Sequence, residues 1–136
     1  MGMAKSITSV WVIDDIDDQT LITIAFKNID PIILVTLLDK DEAFLNHIQQ
    51  ASPLAKLVLL DLNMPKINGF EALKELRANT KYDAVPIIVL TTSSNSTDKE
   101  IAWSLGANGF FNKPVTYTEL MNVIQKVAIQ WHVFQN

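Results

Sequence analysis

Five short apolar runs punctuate the chain, and helical patterns follow them. Ser9 to Ile13, Ile32 to Leu37, Leu57 to Leu60, Ile87 to Leu90 and Gly109 to Phe111 are each too short for a helix and read as strands. After the first, Leu21, Ile22, Ala25, Phe26 and Ile29 recur at helical spacing, and Asp17 or Asp18 is placed to cap that helix. Ala43, Phe44, His47 and Ile48 form the apolar face of a second helix, which Ser52 and Pro53 break. Phe70, Leu73, Leu76 and Arg77 mark a third, beginning at Gly69 and closing near Asn79. A fourth runs from Asp98 to Leu105 and stops at Gly106, a residue suited to the left-handed turn after a helix. The fifth carries Leu120, Ile124, Val127 and Trp131 on one face, and Thr116 with Glu119 has the form of a capping box at its start.

Strands that are apolar throughout, rather than alternating, are buried on both faces. Helices between them then cover a parallel sheet from both sides, which gives an α/β doubly wound fold. No linker, repeat or low-complexity stretch interrupts the pattern, so residues 1–136 are expected to form a single domain. In such sheets ligands bind beyond the carboxyl ends of the strands.

Composition narrows the function classes. With 49% apolar and 19% charged residues, the chain has the makeup of a compact soluble protein. It contains no cysteine, which excludes disulfides and thiolate metal sites. A net charge of −4 without a basic stripe argues against a nucleic-acid surface. No run approaches the ~18 apolar residues of a membrane span, and the N-terminus lacks a secretory signal. A cytoplasmic protein is the expectation.

Chemistry collects where the strands end. The first strand runs into Asp14 and Asp15, the third into Asp61, the fourth into Thr91 and Thr92, and the fifth, after Asn112, into Lys113. A parallel sheet projects all of them from one edge. Asp61 closes a buried strand, which costs free energy unless the charge is compensated. A cation shared among the acids, together with Lys113, supplies that compensation. Carboxylates with open coordination positions suit a hard cation such as Mg²⁺, which favours a phosphoryl oxygen as a further ligand. Asp61 as nucleophile, with Lys113 and Thr91 on phosphoryl oxygens, makes a set for phosphoryl transfer.

Four blocks carry a resemblance: VWVIDD at 10–15, LVLLDLNMPKINGFEAL at 57–73, PIIVLTTSS at 86–94 and LGANGFFNKP at 105–114. Together they resemble the receiver domain of response regulators, of the single-domain kind that includes the chemotaxis regulators. The resemblance implies the flavodoxin-like strand order 2-1-3-4-5. It implies Asp61 as the acceptor of a phosphoryl group from a phosphohistidine on a sensor kinase or histidine phosphotransfer protein. Asp14 and Asp15 match the acidic pair that holds Mg²⁺, with Asp15 the more direct ligand, and Asn63 matches the residue whose backbone carbonyl completes the metal site. Thr91 matches the switch hydroxyl, Lys113 the phosphoryl-binding lysine before Pro114, and Phe110 the switch aromatic. The output surface implied is that of the fourth helix, fifth strand and fifth helix. Because no output domain follows Trp131, the signal is expected to pass by contact with a downstream protein. Dimerisation through that face is common among relatives, and the residues leave a homodimer open.

Some positions depart from the family pattern. Thr92 stands where Ala or Gly is usual, Ile16 where a polar residue is common, and Asn63 and Ser93 occupy positions that tune dephosphorylation. None removes a required group. Asp17 and Asp18 read as capping or surface residues, and His47 and His132 as helix residues without ligand partners. Trp11, Trp103 and Trp131 are expected to fill gaps between helices and sheet, with Ile101 or Trp103 the alternative for an exposed place on the output face.

Three other functions compete. A Mg²⁺-dependent phosphohydrolase usually needs a second acid two residues after the nucleophile, to protonate the leaving group; Asn63 stands there. A nucleotide- or flavin-binding domain would need a Gly- or Ser-rich loop after the first strand, where Asp14-Asp15-Ile16-Asp17 would repel phosphate. A phosphorylation-independent scaffold would not require the intact acid, hydroxyl and lysine set. The expected protein is therefore a switch, not an enzyme, whose only chemistry is phosphoryl transfer to Asp61 and its reversal by water.

Overall fold

The computed structural model describes residues 9–13, 16–38, 55–62, 69–92 and 95–133. Five strands form one parallel sheet: β1 (Ser9–Ile13), β2 (Leu34–Leu38), β3 (Leu57–Leu60), β4 (Ile87–Thr91) and β5 (Gly109–Asn112), in the order β2-β1-β3-β4-β5. The doubly wound class is as the apolar pattern predicts, and the 2-1-3-4-5 order is as the family resemblance implies. Four helices are described: α1 (Ile16–Ile29), α2 (Gly69–Ala78), α3 (Ser96–Ser104) and α4 (Tyr117–Gln130). The helix expected around Ala43 to Ile48 lies outside the described residues.

Period-2 alternation divides each apolar run between two cores. Val10, Val12, Leu57, Leu59, Ile88 and Leu90 pack with α1 and α4, whereas Trp11, Ile13, Val58, Leu60, Ile87 and Val89 pack with α2 and α3. Central strands are thus buried on both faces, which is why they read as unbroken. Edge strand β2 is different, with Leu34 and Leu37 exposed. It starts at Leu34 rather than Ile32 because the Asp30 side chain accepts from the Ile32 amide at 3.0 Å, forming a turn after Pro31.

Two helix starts were misplaced from sequence. Helix α1 begins at Ile16, so Asp17 and Asp18 lie in its first turn and neither is its cap. Helix α3 begins at Ser96, not Asp98, because Asn95 caps it: its side-chain oxygen accepts from the Thr97 amide at 2.8 Å. At α4 the expected Thr116 cap is present, accepting from the Glu119 amide at 3.2 Å.

Gly69 and Gly106 are each required by close approach. A Cβ on Gly69 would stand 2.3 Å from Leu62 Cα and 2.6 Å from Asp61 O, so α2 can start against the exit of β3 only with glycine there. Gly106 has φ +104° and ends α3 as expected, and a Cβ there would meet Arg77 Cγ at 2.9 Å.

Arg77 ties α2 to its surroundings. Its guanidinium donates to Tyr82 O (2.5 Å), Gly106 O (2.9 Å), Val85 O (3.0 Å) and Asn108 Oδ1 (2.6 Å). These bonds fasten α2 to a 3-10 turn at Thr80–Tyr82 and to the loop between α3 and β5. Burial pushes the Arg77 pKa down, with Asp83 acting the other way, and burial pushes the Tyr82 phenol up. Trp11 is buried and packs against Tyr82 with ring centroids 5.7 Å apart. Trp131 is half-buried beside β5, as expected of a gap-filling residue. Of the two places open to Trp103, the structure gives the exposed one: it and Ile101 are both exposed, and α3 buries only Ala102.

Candidate functional site

Asp61 follows directly on β3, and its amide donates to Ile13 O at 3.0 Å. The parallel pairing of β1 and β3, with Ile13 opposite Leu60, therefore carries one residue past the strand and holds Asp61 beside the point where β1 ends. Asp14 and Asp15 follow Ile13 in the chain. They lie outside the described residues, as do Asn63 and Ser93.

Lys113 is set by the same device on the other side. Its amide donates to Thr91 O at 2.7 Å, extending the β4–β5 pairing by one residue. Its ammonium lies 3.0 Å from Asp61 Oδ2 and 2.6 Å from Asp18 Oδ2. The Asp61 and Lys113 side chains are 5% and 10% exposed, whereas Asp18 is 34% exposed. One cation thus stands between a deeply buried carboxylate and one at the surface. Removing the lysine would take the cation away from a buried carboxylate, and breaking a buried ion pair typically costs about 3–5 kcal/mol.

Thr91 is fully buried at the end of β4, two residues after Val89, the partner of Leu60. Phe110 pairs with Val89, is half-buried, and packs against the core shared by α2 and α3. Thr92 is exposed. Among the residues predicted for the site, the structure brings Asp61 and Lys113 into contact and places Thr91 at the same sheet edge.

Two participants were not anticipated. Asp18 is a direct partner of Lys113, where the sequence reading made it a cap or surface residue. The signal was present: Asp18 lies four residues before Ile22, on the stripe that α1 turns toward the sheet. Gln19 is buried, and its side-chain amide donates to Val12 O (3.4 Å) and Leu38 O (3.2 Å), joining the ends of β1 and β2. A cleft of about 150 Å³ opens beside the ion cluster, lined by Asp18, Leu21, Leu90, Lys113, Pro114 and Tyr117, among others.

Among the described residues no three acids, histidines or cysteines converge on a metal position. What is described does fit a hard cation: a buried carboxylate next to the strand from which two further acids emerge, with only oxygen donors in the set. No helix among the described residues is long and apolar enough to cross a membrane.

Known proteins resemble this chain in sequence and fold. The chain is 36% identical to response regulator Rcp1 of Synechocystis sp. over 80 residues, 59% of this chain and 54% of Rcp1. It spans about half the length of the first curated relatives it matches. A crystal structure of the Mn²⁺-bound form of response regulator Rcp1 superimposes with a TM-score of 0.77 at 29% identity, covering 91% of this chain and 94% of that one. The phosphorylated cyanobacterial phytochrome response regulator RcpA has the same fold, with a TM-score of 0.86 at 24% identity over 93% and 95% of the two chains. Residues 10–125 match the family model of the response regulator receiver domain. The chain belongs to that family, the response regulator receiver domains of two-component systems.

Proposed function

We propose that residues 1–136 work as a single receiver unit that takes a phosphoryl group onto Asp61 and signals through its own surface. The observation that carries this reading is the buried Asp61 carboxylate held by Lys113 at 3.0 Å. In the transfer, a carboxylate oxygen of Asp61 attacks phosphorus and an O–P bond forms. The P–N bond of the donor phosphohistidine breaks, and the imidazole keeps its electron pair. Lys113 then follows the new negative charge from the carboxylate to a phosphoryl oxygen.

Asp14, Asp15, Asp61 and the Asn63 carbonyl would hold Mg²⁺, which when bound offsets charge on the phosphoryl group. The Mn²⁺-bound state of Rcp1 supports a divalent ion in this class of site. Thr91 moves toward the phosphoryl oxygen, and Phe110, half-buried on the neighbouring strand, turns inward. That rearrangement reshapes the surface of α3, β5 and α4, the elements anticipated as fourth helix, fifth strand and fifth helix. Thr92 and Ser93 flank this movement and modulate the lifetime of the phosphoryl group. The reaction makes the protein a switch, not a turnover enzyme, and its site calls for a cytoplasmic kinase or phosphotransfer protein as donor.

Intact-mass spectrometry after incubation with acetyl phosphate and Mg²⁺ tests the reading. One phosphoryl adduct is expected, lost in Asp61→Asn and lost when the metal is chelated. An adduct that persists in Asp61→Asn would contradict it.

A further inference from the structure

Lys113 is shared, and the sharing is unequal. Its ammonium is closer to Asp18 (2.6 Å) than to Asp61 (3.0 Å), although Asp61 is the more deeply buried of the two acids. Asp18 lies in the first turn of α1, so its carboxylate is carried by a helix packed on the sheet rather than by a loop. It also lines the cleft that opens beside Lys113. The three groups together carry a net charge of −1 when ionised, one unit more negative than Asp61 and Lys113 alone.

The geometry points to Asp18 as a positioning residue that restrains Lys113 and sets the rate at which Asp61 accepts phosphate. This rests on the acceptor reading of Asp61. Two physical effects act in the same direction. The phosphoryl group arrives negatively charged, and a carboxylate held beside the receiving lysine repels it. Lys113 must also swing its ammonium toward a phosphoryl oxygen, and Asp18 holds that ammonium back while cancelling part of its charge. Asp18 therefore brakes uptake without touching the reacting atoms.

A charge effect has a signature that a packing effect lacks. It is larger for a more negative donor, weaker at high salt, and restored by any side chain that returns the charge to the same place. Two small donors allow the separation: acetyl phosphate is mainly a dianion near neutral pH, whereas phosphoramidate is mainly a monoanion. With acetyl phosphate, an Asp61 oxygen attacks phosphorus, the bridging P–O bond breaks and acetate leaves. With phosphoramidate the P–N bond breaks and ammonia leaves.

The experiment measures phosphoryl uptake at Asp61 by intact mass, with Mg²⁺, for wild type, Asp18→Asn, Asp18→Glu and Asp61→Asn. Asp18→Asn keeps the size and a lysine acceptor but removes the charge. It is expected to take up phosphate from acetyl phosphate roughly fivefold faster than wild type, with a smaller gain from phosphoramidate. Raising the salt concentration is expected to shrink the gain, and Asp18→Glu is expected to return the rate toward wild type. An Asp18→Asn rate equal to wild type with both donors, in protein that still labels at Asp61, would overturn this inference and leave the acceptor reading standing. A gain equal for both donors and unchanged by salt, or a slower rate, would overturn it as well. Wild type that takes phosphate from neither donor would overturn the acceptor reading and this inference with it.

Discussion

Helices α3 and α4 flank β5, one on each face of the sheet, yet they are held in very different ways. Helix α4 buries Leu120, Ile124, Val127 and Ala128, on the i, i+4, i+7, i+8 stripe of an amphipathic helix, against the core shared with α1. Helix α3 buries only Ala102 and leaves Ile101 and Trp103 38% and 45% exposed. An alanine contributes little buried area, so the packing that anchors α3 is a small fraction of that anchoring α4. The weakly held helix lies on the sheet face that also receives Phe110, while the tightly held one lies beside the Lys113 cleft. The difference teaches that far more packing would have to be broken to shift α4 than to shift α3. A receiver needs both a firmly and a loosely packed element, since its chemical groups must stay in register while its signalling surface changes.

The comparison can be broken or sharpened by substitution. Ile124→Ala, in the middle of the buried α4 stripe, is expected to cost about 2–5 kcal/mol in a denaturant titration. A cost under about 1 kcal/mol would mean that α4 is not the fixed element described. Thr116→Ala removes the cap of α4 and is expected to cost about 1 kcal/mol, read as a lower denaturation midpoint at unchanged slope. Trp103→Ala, on the exposed face of α3, is expected to stay within about 0.5 kcal/mol of wild type despite the size of the residue removed. A loss comparable to that of Ile124→Ala would show that Trp103 is part of the fold rather than of a free surface.

Much of this was legible in the sequence because burial on both faces leaves a simple trace. Strands β1, β3 and β4 appeared as unbroken apolar runs, and the ends of β3, β4 and the shorter β5 gave Asp61, Thr91 and Lys113 as a group. Strand β2 was placed two residues early because the turn at Asp30 depends on a side-chain bond rather than on apolarity. Asp18 was misread for a related reason. Within a run of acids, capping and ion pairing call for the same residue types, and only the helical stripe through Ile22 separates the two roles. The Arg77 clamp had no sequence signal, since its acceptors are mostly backbone carbonyls brought near by the fold. The residues alone left Trp103 open between core and surface, and α3 decides it by offering no second buried position.

The central claim is that phosphate at Asp61 is felt by α3 and its exposed face while α4 keeps its packing. Amide hydrogen exchange, compared between unmodified protein and protein phosphorylated with acetyl phosphate and Mg²⁺, tests it most directly. The account predicts altered protection over residues 96–112, little change over the buried turns of α4, and no change anywhere in Asp61→Asn treated the same way. Phosphorylated protein whose exchange over α3 and β5 matches that of the unmodified protein would contradict it.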